Sequence, residues 1–143
     1  MKTTVLTAAA VLLATTSMAF ANGAYSNDSF VGQVGYFNAA VVYQANGNNN
    51  QGTLQFGGGN VALTGQVADP TRGNENNSLT AQLGWNNIAA TGQSGSAGEN
   101  TSLTIQSGVG NGALTLQKSA AGLDNNSATV QFGVHNIAFT LQH

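Results

Sequence analysis

The side chains in this sequence best placed to do specific chemistry are primary amides. Ten of the eleven Gln residues form five pairs with a constant spacing of eleven: Gln33 and Gln44, Gln55 and Gln66, Gln82 and Gln93, Gln106 and Gln117, Gln131 and Gln142. Five residues after the first Gln of each pair stands an Asn (Asn38, Asn60, Asn87, Asn111, Asn136), and six before it another (Asn27, Asn49, Asn76, Asn100, Asn125). A primary amide both donates and accepts hydrogen bonds, so amides at one position of a stacked unit can bond the copy above and the copy below. That chemistry is assembly, not turnover.

Catalytic constellations are missing from the pattern. His135 and His143 are the only histidines, one expected in an arc and one at the last position. Carboxylates do not recur in pairs on a strand face, Cys is absent, and no metal-ligand spacing occurs. Gly108-Val109-Gly110 mimics a phosphate loop only faintly, since no helical pattern follows it. The expectation is a non-enzyme with no cofactor and no metal.

The elements that must hold the amides follow from the same periodicity. A Gly stands two residues after the first Gln of every pair (Gly35, Gly57, Gly84, Gly108, Gly133), and an Ala seven after it (Ala40, Ala62, Ala89, Ala113, Ala138). Ser29, Ser78, Ser102 and Ser127 stand four before it, with Gln51 the exception, and Val31, Thr53, Thr80, Thr104 and Thr129 two before it. The repeats are 27–44, 49–66, 76–93, 100–117 and 125–142, joined by linkers of four, nine, six and seven residues. The longest linker contains Pro70, the only Pro, so the residue that cannot donate to a ladder stays out of every unit.

Constant residues at every second position give the strand period, not the helical one. The phase breaks once per unit, in the odd step from Gln to Asn that contains the constant Gly. A chain reversal there keeps both strands' constant side chains on the same side of the bend, and Gly suits a tight arc that needs positive φ. The unit is therefore a strand-arc-strand, and the fold class is all-β: a two-sheet β-solenoid of five repeats stacked about 4.8 Å apart. The alternate face is the more apolar one, with Phe30, Leu54, Leu79, Leu103 and Val130 on first strands and Val41, Leu63, Leu114 and Phe139 on second strands. Either the amide face lines the interior and the apolar face meets neighbouring fibres, or the apolar face is the core and the amides look outward. Burial of apolar area, worth about 25 cal/mol per Å2, argues for the second; amide ladders and the phase break argue for the first.

Residues 1–21 read as an export signal, with Lys2, an apolar run from Val5 to Thr16, and Ala19-Phe20-Ala21 as the cleavage site. Residues 22–26 form a short amino-terminal segment before the repeat domain, 27–143. Nothing later reaches the roughly 20 apolar residues of a membrane span. After residue 21 the basic side chains are Arg72 and Lys118, against Asp28, Asp69, Glu75, Glu99 and Asp124. No basic patch is available to phosphate, so nucleic acid is not expected as a partner. Glu75, Glu99 and Asp124 each precede the opening Asn of a unit, and stacking brings like charges together, which would slow assembly more at pH 8 than near pH 4.

Both terminal units match the internal pattern, whereas soluble solenoids carry polar caps. Pattern-matched edges are expected to add copies of the chain head to tail, an open assembly. In its repeats the sequence resembles the curlins, subunits of bacterial curli fibres: Q-x-G-x-x-N-x-A-x-x-x-Q is met in five of five units across residues 27–142. The resemblance implies an extracellular functional amyloid of the biofilm matrix, secreted to the cell surface and used in adhesion. It also implies partners: a nucleator subunit, an outer-membrane export channel and periplasmic chaperones. The regular fifth unit leans towards a major subunit, with a minor nucleating curlin as the alternative. A rival of another class is a soluble β-solenoid module that binds ice or a polymer through the files Thr53, Thr80, Thr104, Thr129 and Thr64, Thr91, Thr115, Thr140, which requires those files to face outward.

Overall fold

The computed structural model describes residues 27–69, 71–120 and 122–143. The export signal read in 1–21, the segment 22–26 and Pro70 lie outside the described residues. The chain forms ten strands, two per repeat: β1 (Asn27–Tyr36), β2 (Ala39–Ala45), β3 (Asn48–Gly58), β4 (Val61–Ala68), β5 (Glu75–Trp85), β6 (Ile88–Gly95), β7 (Glu99–Val109), β8 (Gly112–Ser119), β9 (Asn125–Val134) and β10 (Ile137–Gln142).

Odd strands form one parallel sheet, in the order β1-β3-β5-β7-β9, and even strands form the other, in the order β2-β4-β6-β8-β10. The molecule is a parallel β-solenoid of five rungs, each made of one strand from each sheet. Stacking follows the sequence repeat without slippage: Gln33 pairs with Gln55, Gln55 with Gln82, Gln82 with Gln106 and Gln106 with Gln131. Linkers of unequal length leave this register untouched, because side chains of period two fix a parallel pairing wherever one face is enclosed.

The arcs explain the constant glycine. Gly84 has φ +111°, and a Cβ built on it would stand 2.0 Å from the carbonyl oxygen of Gly108 in the next rung. Backbone conformation and close approach both exclude a side chain there. Each arc has a second left-handed residue two positions on, filled by Phe37, Gly59, Asn86, Gly110 and His135 in turn. Arc backbones also bond rung to rung, as where Asn86 N donates to Gly58 O at 2.9 Å and His135 N to Val109 O at 2.9 Å.

Of the two arrangements open from the sequence, the amide face is the interior. Gln55, Gln66, Gln82, Gln106, Asn49, Asn60, Asn76, Asn87 and Asn100 are fully buried. Phe30, Val41, Leu63, Val130 and Phe139 face outward. Burial by area alone favours the reverse, and it loses for two reasons. The odd step in the arc turns the constant faces of both strands towards each other. Identical stacking then gives each buried amide a partner one rung away, so little polar capacity is stranded. The described apolar core is correspondingly small, a cluster of Val31, Ala40, Val42 and Ala62 in the first two rungs.

Candidate functional site

Four amide columns run through the interior, and they are directional. In the column of first-strand glutamines, Gln55 Nε2 donates to Gln82 Oε1 at 2.7 Å, Gln82 to Gln106 at 2.9 Å and Gln106 to Gln131 at 2.8 Å. Gln33 likewise donates to Gln55. In the second column Gln44 donates to Gln66 at 2.9 Å, Gln66 to Gln93 at 2.8 Å, Gln93 to Gln117 at 2.8 Å and Gln117 to Gln142 at 2.7 Å. In both glutamine columns the Gln-to-Gln donation therefore runs towards the carboxy-terminal rung.

The asparagine columns run the other way. Asn49 donates to Asn27 at 2.7 Å, Asn76 to Asn49 at 2.8 Å, Asn100 to Asn76 at 2.8 Å and Asn125 to Asn100 at 3.0 Å. In the arc column Asn60 donates to Asn38 at 3.1 Å, Asn87 to Asn60 at 3.1 Å, Asn111 to Asn87 at 3.0 Å and Asn136 to Asn111 at 2.9 Å. Two amide directions therefore oppose each other within one stack.

Backbone groups fix which amide atom is nitrogen. Gln66 Nε2 also donates to the carbonyls of Asn50 and Asn76, each at 3.0 Å, and Gln93 Nε2 to those of Asn77 and Asn100, each at 2.9 Å. First-column glutamines reach across to the second sheet, as Gln82 does to Val61 O at 3.0 Å and Gln106 to Ile88 O at 3.0 Å. A flipped amide would set oxygen against oxygen at each of these places. Arc asparagines are held the same way: Asn87 Oδ1 accepts from the backbone N–H of Asn111 at 3.1 Å, while its Nδ2 donates to Leu83 O at 3.2 Å.

The two end rungs consequently differ in chemistry. At the amino-terminal end, Gln44 is 1 % exposed and its Oε1 has no hydrogen-bond partner among the described residues. At the carboxy-terminal end, Gln142 Nε2 bonds Asn126 O at 2.8 Å, whereas its internal counterpart Gln66 reaches two carbonyls and a further Gln. A second copy set with its first rung on this last rung would bring the acceptor of Gln44 to the donor of Gln142. β1 and β2 at one end, and β9 and β10 at the other, are edge strands among the described residues.

Hydroxyl files line the rest of the interior. Thr53, Thr80, Thr104 and Thr129 are buried in one file, and Thr64, Thr91 and Thr115 in the other. The ice- or polymer-binding module expected as a rival needs these files outside, so its surface does not exist in this fold. Ser78, Ser102, Ser127, Thr91 and Thr115 keep buried hydroxyl oxygens without a hydrogen-bond partner, so the hydroxyls serve the interior less well than the amides do. Gln51, the residue that breaks the Ser column, accepts from Ser29 Oγ at 3.0 Å and donates to Thr53 Oγ1.

The acidic residues at the linkers lie outside the ladders. Glu75 and Glu99 are register partners on β5 and β7, and Asp124 Oδ1 accepts from the Glu99 N–H at 2.9 Å. Thr71 donates to Asp69 from its backbone N–H at 2.8 Å and its hydroxyl at 2.7 Å, and these bonds hold the Asp69 carboxyl below the usual carboxylate range. Sequence reasoning passed over Asn74, which is buried in the linker before β5 and donates to Ser119 Oγ at 3.2 Å and to Gly98 O. Its only signal was a Gly-Asn pair next to a unit boundary. His135 lies in the last arc and His143 after β10, and no cluster of three metal-ligating side chains occurs among the described residues. No helix among them is long and apolar enough to cross a membrane.

No family model, curated protein or solved structure matches the chain.

Proposed function

We propose that the chain is the structural subunit of an extracellular, curlin-like functional amyloid, which polymerises head to tail and serves adhesion and aggregation in a biofilm matrix. The observation that carries this reading is the complementarity of the end rungs: an unpartnered Gln44 acceptor at one end and spare Gln142 donor capacity at the other. Joined, they continue the same ladder that links the internal rungs, and the backbone edges of β1 and β9, and of β2 and β10, continue the two sheets. Opposed Gln and Asn directions add polarity. Two copies meeting through the same end would set donor on donor in one column and acceptor on acceptor in the next.

The curlin-like part of the reading rests on the Q-x-G-x-x-N-x-A-x-x-x-Q units and their stacking. On the same resemblance, a nucleator subunit, an outer-membrane channel and periplasmic chaperones are its partners, and the chain performs no catalysis. The test is dilution of the chain from denaturant, followed by thioflavin T fluorescence and electron microscopy. Unbranched fibres that seed fresh monomer are expected; a persistent soluble monomer would overturn the reading. For the matrix role, a strain lacking the chain should lose surface fibres and regain them on complementation.

A further inference from the structure

One arc residue is costly in two ways at once, and no described residue of its own chain offsets either. Phe37 holds a left-handed φ of +56°, which glycine adopts freely and Asn and His more readily than most, but a bulky side chain rarely. It is also 94 % exposed, more than any other large apolar side chain described, whereas Tyr36 beside it is 66 %. Rungs two and four put Gly59 and Gly110 at the same place. A strained phenyl kept in water on the outermost rung points to a contact outside the chain.

The register of the stack names that contact. Each arc is tied to the arc before it by a backbone bond: Gly59 N donates to Tyr36 O at 2.8 Å, Gly110 N to Trp85 O at 2.9 Å and His135 N to Val109 O at 2.9 Å. A copy stacked on the last rung continues the series with its Phe37 N on the neighbour's Val134 O. That sets its Phe37 one rung, about 4.8 Å, beyond the neighbour's His135.

Within one chain, side chains and glycines alternate along this file, and each side chain leans back over the glycine before it. A Cβ on Gly110 would stand 2.7 Å from His135 Cδ2, and Gly59 borders the Asn86 amide in the same way. The exposed imidazole of His135 therefore leaves its outer face clear, and Phe37 shares its φ. Leaning back by the same amount, the phenyl of the next copy lies on that face. Only between copies do two side chains of this file fall on adjacent rungs, and both are rings.

We propose that the Phe37 phenyl of one copy shingles on the His135 imidazole of the copy before it, a ring contact that exists at the junction and nowhere inside a chain. Offset rings with centroids about 4.5–7 Å apart attract beyond the area they bury. Ile137, which follows this arc and is 89 % exposed, is covered at the same junction by the incoming Ala39, the first member of its column. The inference rests on the proposed head-to-tail polymer and adds to its amide ladders a lock specific to the junction.

The test is a double-substitution cycle on the soluble concentration left when fibre growth stops, which reports the dissociation constant of one junction. Phe37→Gly and His135→Gly install the residue that rungs two and four already carry, and the cycle cancels what each glycine does to its own arc. The double variant is expected to raise that concentration by roughly threefold to tenfold less than the product of the two single effects, the range of an aromatic pair. Asn86→Gly combined with His135→Gly should give the plain product, and Phe37→Tyr, which keeps a ring, should match wild type. A plain product for Phe37 and His135, or a Tyr variant as impaired as Phe37→Gly, overturns the ring contact and leaves the polymer standing. A wild-type chain that never elongates overturns both.

Discussion

Among the described residues, Gln44 buries an acceptor without a partner at one end of the stack, and Gln142, four rungs along the same column, holds donor capacity left unused. Between them the column is continuous, through Gln66, Gln93 and Gln117. The same bond that closes each internal step is therefore half-made at both ends. An orphaned buried acceptor costs about 1–3 kcal/mol, and addition of a copy removes that cost at every junction.

Substitutions at the end and in the middle of this column should separate assembly from folding. Gln142→Leu removes the junction donor and is expected to slow elongation about tenfold, the equivalent of about 1.4 kcal/mol, measured from seeded thioflavin T growth rates. Gln93→Leu strands Gln117 Oε1 and two backbone carbonyls inside the molecule, and should destabilise the fibre itself. Denaturant dissociation of the fibres distinguishes the two, with the Gln93 variant dissolving at lower concentration.

The arc makes an opposite pair of predictions for glycine. Gly84→Ala places a Cβ against the Gly108 carbonyl at positive φ, and is expected to cost at least about 2 kcal/mol. Gly65→Ala meets nothing within 4 Å, and is expected to be neutral or to stabilise by up to about 1 kcal/mol through reduced chain entropy. Chemical denaturation of the fibres reads both.

Buried hydroxyls without partners mark positions where the interior can be improved. Val31 and Val42 already fill in the first rung the places that Thr takes in later rungs. Thr115→Val should therefore fit, and removal of its unpaired hydroxyl is expected to raise stability by about 1 kcal/mol. A higher denaturation midpoint checks it.

Glu75 and Glu99 are directly paired across adjacent strands. Like charges in such a position cost about 0.2–1 kcal/mol, and salt screens them. Glu99→Gln should shorten the lag before polymerisation, and should reduce the acceleration that added sodium chloride gives the wild type. Lag times in low and high salt measure both effects.

Much of this architecture was legible in the residues. The spacing of Gln33 and Gln44, repeated five times, gave the rungs, and the odd step through Gly35 to Asn38 gave the arc. The inward face was legible only in part: apolar area pointed to one side of each strand, while the odd step of the arc and the pairing of amides pointed to the other, which is the side the structure buries. Ladder direction was hidden. Nothing in the order of residues says that Gln66 Nε2 meets the Asn50 and Asn76 carbonyls, and those contacts orient the column. The second left-handed residue of the arc escaped notice because five positions hold four residue types: Phe37, Gly59, Asn86, Gly110 and His135.

The most direct test of head-to-tail continuation is cross-linking between two singly substituted chains. Continuing the stack places Ala128 of one copy beside Phe30 of the next, since their column runs Phe30, Gly52, Leu79, Leu103, Ala128 from rung to rung. Fibres grown from an equal mixture of Phe30→Cys and Ala128→Cys chains, oxidised and analysed by mass spectrometry, should yield the mixed disulfide dimer as the dominant product. Dimers of Phe30→Cys with itself or of Ala128→Cys with itself as the main species, or no fibres at all, would contradict the account.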